Sequence, residues 1–221
     1  GNTAQGIREQ LRNYLRQGID CVTALRGGET RMSDGLSDEA ELVKLIRREF
    51  SDSFTVAVDG APEGEPLGSS LEGEITRLKA IQDSGADFLI TRLCWDTDIF
   101  RGWLEGIRAA GITLPVMAGV APVVDQAATI RTALATGGCA IPEDLCRLLS
   151  DYWIYPNPFV KDPFDAEVER KRVQFREAGM AYTAHQIWLY RQWGVDGIHL
   201  LTQNRAEDVP AIVRAARNPS F

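Results

Sequence analysis

The chain has 221 residues, 44% of them hydrophobic, and a formal net charge of −7 at pH 7. That length suffices to bury a sizeable single core, and the acidic balance argues against a nucleic-acid backbone or an anionic membrane as main partner. No apolar run approaches the ~20 residues that span a bilayer, so a soluble protein with no direct membrane span is expected.

In chain order, Ile7, Leu11, Tyr14 and Leu15 share one face of a helical pattern over 7–17. The apolar run 20–25 then reads as a buried parallel strand. A helix over 38–50 follows a Ser37 cap and buries Leu42, Leu45 and Ile46. The strand pattern returns at 54–58, and a helix at 71–83 presents Ile75, Leu78 and Ile81. Residues 87–92 form a third strand, 98–110 a helix with Ile99, Trp103, Leu104 and Ile107, and 114–120 a fourth strand. Residues 124–135 continue with Ile130 and Leu134 on one face. The segment 164–193 reads as one or two helices, 197–202 as a fifth strand and 208–216 as a closing helix. Gly18, Gly85, Gly111 and Gly194 each sit between a helix and the next strand, where a left-handed cap favours glycine.

This alternating order implies parallel strands joined by helical crossovers. The fold class is therefore α/β, a partial TIM-type (β/α) barrel of about five parallel strands with outer helices, since a complete eight-unit barrel needs roughly 250 residues. Residues 1–221 are expected to form a single domain with an insertion at about 150–180. An open edge of such a sheet invites a protein partner. The chain opens on Gly1 rather than Met, which leaves open a removed targeting peptide, a tag boundary or further upstream protein. A mitochondrial matrix or cytoplasmic setting both stay open.

Cys21, Cys94, Cys139 and Cys146 form no C-x-x-C pair and have no close histidine partner. Buried free thiols of a reducing compartment are the better reading than zinc or disulfides. His199 in the fifth strand and His185 in the long helix are expected as buried, hydrogen-bonded residues. Trp188, Tyr190 and Trp193 lie at helical spacing and read as core or interface, whereas the aromatic, proline-rich stretch 152–159 offers either a partner surface or local packing.

The strand ends carry a more specific signal. Ala24-Leu25-Arg26-Gly27-Gly28, Pro62-Glu63-Gly64-Glu65-Pro66, Ile90-Thr91-Arg92 and Pro115-Val116-Met117-Ala118-Gly119-Val120 come in that order. His199-Leu200-Leu201-Thr202-Gln203-Asn204-Arg205 ends the series. Together they resemble the methylenetetrahydrofolate reductase family, FAD-dependent barrels that reduce methylenetetrahydrofolate to methyltetrahydrofolate. The resemblance implies a fold, and it implies candidates. Arg26, Gly27, Glu74 and Arg77 stand where the family meets FAD, and Arg92 and Arg205 where it meets the folate.

The departures from the pattern are equally specific. The family's Arg-Gly-Asp reads Arg26-Gly27-Gly28, its Pro-Glu-x-His-Pro carries Glu65 in place of histidine, and Ala80 and Ile81 occupy a helix face that normally meets FAD. Its Ile-Thr-Gln ends in Arg92, an aromatic that sandwiches the folate aligns with Gln126, and a tyrosine is Leu201. The family's first three strands and catalytic glutamate have no counterpart here.

Several candidates have a bland reading beside the functional one. Arg26 suits a flavin contact or a salt bridge, and Arg92 suits an anionic ligand or an internal pair with Glu65 or Asp96. Arg205 suits the folate, or Asn204-Arg205 caps the final helix; Glu63 suits fixing its own loop. Two functional expectations follow. One is a catalytically degenerate relative acting as an accessory subunit, with no catalytic or metal residue and no cofactor of its own. The other is a reductase using FAD and NADH or NADPH, seen without its N-terminal third or completed by a partner chain.

Overall fold

A computed structural model describes residues 3–25, 38–64, 70–135, 138–153 and 166–217. Helix α1 (Ala4–Arg16) starts at Thr3, whose side chain accepts from the Gly6 amide. Strand β1 (Cys21–Ala24) leads on to α2 (Glu39–Phe50), and β2 (Thr55–Gly60) to α3 (Leu71–Asp83). Then come β3 (Phe88–Thr91), α4 (Thr97–Ala109), β4 (Val116–Val120), α5 (Gln126–Leu134), α6 (Glu143–Asp151), α7 (Ala166–Gln192), β5 (Gly197–Leu200) and α8 (Val209–Arg217). The five strands form one sheet in the order β1-β2-β3-β4-β5, with β1, β2, β3 and β4 paired in parallel. This is the partial α/β barrel that the alternation of patterns implies. Among the described residues no helix is long and apolar enough to cross a membrane.

The glycine punctuation is as expected, because Gly18, Gly85, Gly111 and Gly194 all hold φ between 77° and 96°. A side chain at that backbone angle would crowd the following carbonyl. The cap of α2 differs from expectation. The Asp38 carboxylate, not Ser37, accepts from the Glu41 amide at 3.0 Å, where its negative charge also complements the helix N-terminus. Ser37 itself lies outside the described residues. Helix α6 was not expected. Its signal is present in Glu143 and Asp144 in the first turn and Leu145, Leu148 and Leu149 on one face.

The chain divides into two compact units, residues 1–92 with 103–117, and residues 93–102 with 118–221. In the first, β2 pairs with both β1 and β3, and its Val56, Ala57 and Val58 are buried, as are Ile46 of α2, Leu78 and Ile81 of α3 and Leu89 of β3. Trp103 lies over Gly60 so closely that a Cβ there would come within 2.9 Å of its ring. Arg47 ties the opposite end of the strands together, donating to the Gly85 and Phe54 carbonyls and to Asp87, which also accepts from the Val56 amide. β1, first in the sheet order, is mostly exposed, with Cys21 and Thr23 open to solvent, so the expectation of a buried strand fails there. A strand with a neighbour on one side only keeps half its surroundings as water.

In the second unit the core gathers Trp95, Ala121, Val123, Leu145, Leu149 and Phe175. Helix α7 reaches it by close approach at Gly179 and by polar ties farther along. Thr183 Oγ1 accepts from the Val123 amide at 3.0 Å. The Gln186 amide nitrogen and the Tyr190 hydroxyl both donate to the Cys94 carbonyl at 2.8 Å. Tyr190 also stacks on Phe100, with ring centroids 3.9 Å apart, and so is core as expected. Both histidines are exposed rather than buried. His199 sits on β5, the last strand of the sheet, and His185 projects from the outer side of α7 against Trp188. Of the cysteines only Cys94 and Cys139 are buried; Cys21 and Cys146 are exposed.

Gly179 sets the helix position most sharply, since a Cβ there would lie 1.6 Å from the Val123 carbonyl oxygen, a backbone atom with no room to yield. Gly179→Ala is expected to destabilise the second unit by about 3 kcal/mol or more, read as a lowered urea midpoint. Thr183→Val at the same interface is expected to cost about 1–3 kcal/mol by leaving the Val123 amide unpaired.

Candidate functional site

Parallel α/β folds gather their chemistry where the strands end and the following loops begin. The register sets Ala24 beside Val58 and Gly60 beside Thr91, so Ala61 and Arg92 leave the sheet at the same end of the first unit. Two of the FAD-site candidates, Glu74 and Arg77, come to this place from α3. Glu74 is 1% exposed; its Oε1 accepts from the Ala61 amide at 2.9 Å and so pins the loop after β2.

Arg77 is spent entirely on the protein. Its Nε donates to Glu74 Oε2, one Nη to Glu39 and Asp59 Oδ1, and the other Nη to the Asp59 carbonyl and Glu74 Oε1. Those contacts use all five of a guanidinium's N–H donors. Arg92 closes the cluster from the end of β3, with Nε 2.7 Å from Asp59 Oδ2. Asp59 is thus a partner of Arg92 inside the protein, an internal pair of the kind weighed from the sequence though with a different acid. Burial works against the charge of Asp59, yet the Glu39 hydrogen bond, Arg77 and Arg92 outweigh it and hold the carboxyl below its ordinary value. Arg26, Gly27, Gly28 and Glu65 lie outside the described residues.

Phosphate recognition calls for donors left free to point outward, and Arg77 has none, while Glu74 is a buried acceptor holding the backbone. Glu74 and Arg77 do not fit FAD.

Arg205 belongs to the second unit and to a different arrangement. Thr202–Arg205 is a tight turn closed by the Arg205 amide on the Thr202 carbonyl at 2.9 Å, with Gln203 and Asn204 at φ 50° and 64°. Two successive left-handed residues without glycine cost about 1 kcal/mol or more each. The turn is held to α5 at two points: Gln203 Nε2 donates to Thr132 Oγ1 at 3.3 Å, and Arg205 Nη1 to Asp125 Oδ2 at 3.0 Å. Asp125 is also the α5 cap, accepting from the Ala128 amide at 2.7 Å. Burial disfavours its charge, but that amide and Arg205 prevail and lower its pKa. Arg205 thus serves the α5 terminus and the turn, rather than capping the final helix.

Between the ends of β4 and β5 lies a shallow open depression, lined among others by Trp95, Pro122, Asp125, Thr129, Thr132 and Arg205. The buried Trp95 indole nitrogen has no hydrogen-bond partner among the described residues. Gln126, which stands for the family's folate-stacking aromatic, instead donates to the Leu149 carbonyl at 2.8 Å. Leu201, in place of the family's tyrosine, lines the depression and is 38% exposed. Of the stretch 152–159, Tyr152 packs edge-on against Phe175 at 6.4 Å and Trp153 accepts from Lys171 through its carbonyl; the remainder lies outside the described residues.

Asp59, Glu39, Asp125 and Trp95 were not singled out from the sequence. Asp59 had a visible signal, an acid directly following the apolar run Val56-Ala57-Val58. Glu39 had none, being one of many acids near a helix start.

Comparison with known proteins gives a consistent picture. The sequence pattern defining the methylenetetrahydrofolate reductase family matches residues 2–217. Methylenetetrahydrofolate reductase 1 of Schizosaccharomyces pombe is 34% identical over 137 residues, 59% of this chain and 23% of that protein. The 5,10-methylenetetrahydrofolate reductase of Escherichia coli is 25% identical over 205 residues, 93% of this chain and 63% of that protein. The chain thus spans less than two thirds of these relatives. Among solved structures, a Clostridium thermocellum protein that binds two copies of 5-methyl-5,6,7,8-tetrahydrofolic acid shares the fold. Its TM-score is 0.53 at 14% identity, covering 90% of this chain and 63% of that one.

Two substitutions separate the roles of the Asp125–Arg205 pair. Asp125→Ala removes the α5 cap and is expected to cost about 1 kcal/mol. Arg205→Ala leaves that cap in place and, at a half-exposed ion pair, is expected to cost less than about 1 kcal/mol. Chemical denaturation of both variants checks the order.

Proposed function

This chain belongs to the methylenetetrahydrofolate reductase family, and we propose that within it the chain is a site-degenerate member, acting as an accessory subunit of a larger assembly rather than as a reductase by itself. The observation that carries this reading is the saturation of Arg77 by Glu74, Glu39 and Asp59. At a place where the family meets a dinucleotide, the chain sets three carboxylates around one guanidinium. Carboxylates at that spot repel phosphate. The Asp59–Arg92 pair and the Gln126–Leu149 tie point the same way, since both turn family ligand positions to internal bonding. A partner would cover β1, whose run of Cys21, Val22 and Thr23 carries none of the charge or proline that guards sheet edges.

The second reading keeps the enzyme: FAD and the missing strands would come from sequence beyond this stretch or from a partner chain. The depression beside Arg205 favours it, because it leaves a polar, partly open site at the ends of β4 and β5.

Near-ultraviolet and visible absorbance of the protein in its native assembly distinguishes the two. Under the first reading the spectrum carries no flavin bands, and titration with FAD adds none. Flavin bands that bleach with NADH or NADPH would overturn it and establish the second.

A further inference from the structure

We draw no further inference here: the strongest candidate, the shallow depression between the ends of β4 and β5 lined by Trp95, Asp125, Thr129 and Arg205, belongs to the site already described and restates the folate position that the family resemblance gives Arg205.

Discussion

Burying a guanidinium is expensive unless each of its donors meets an acceptor and its charge meets a carboxylate. Arg77 satisfies both conditions by drawing Glu39 from α2, Asp59 from β2 and Glu74 from its own helix into one place. The architecture of the first unit at its strand ends depends on that requirement. Glu74 then holds the Ala61 amide, and Asp59 offers its second oxygen to Arg92. Removing one member would leave the others as uncompensated buried charge, so these residues stand or fall as a set.

The second unit solves a different problem, seating a 27-residue helix against a strand and its following loop. There the controlling constraint is steric. Gly179 lets the α7 backbone meet the Val123 carbonyl, after which Thr183, Gln186 and Tyr190 fall at successive turns onto the Val123 amide and Cys94 carbonyl. The Cys94 carbonyl, just beyond β3, accepts from two donors. The depression beside Arg205 sits on this rigid base, and its walls are tied to each other through Gln203–Thr132 and Arg205–Asp125.

The family pattern and its departures therefore mean different things in different places. Glycine, proline and apolar residues of the strands retain the fold, which outlives a given site without difficulty. The change to Arg92 is compensated by Asp59, an acid that a strand interior would not otherwise tolerate. The change to Gln126 is absorbed by the Leu149 carbonyl. Substitutions that acquire internal partners become part of the structure.

The sequence by itself determined the alternation of strands and helices, the parallel sheet and the glycine caps, because these rest on local periodicity and on backbone angles that one residue type relieves. It also carried the family resemblance, since five strand-end motifs in order need no coordinates to be read. What only the tertiary structure decided is where each charge finds its partner. Arg92 meets Asp59, 33 positions earlier, and Arg77 meets Glu39, 38 positions earlier. Such pairings depend on which loops the sheet register brings together, and no spacing along the chain encodes them. The exposure of His199 and of β1 has the same origin: a strand pattern states that a residue can be buried, and only the neighbours in space decide whether it is.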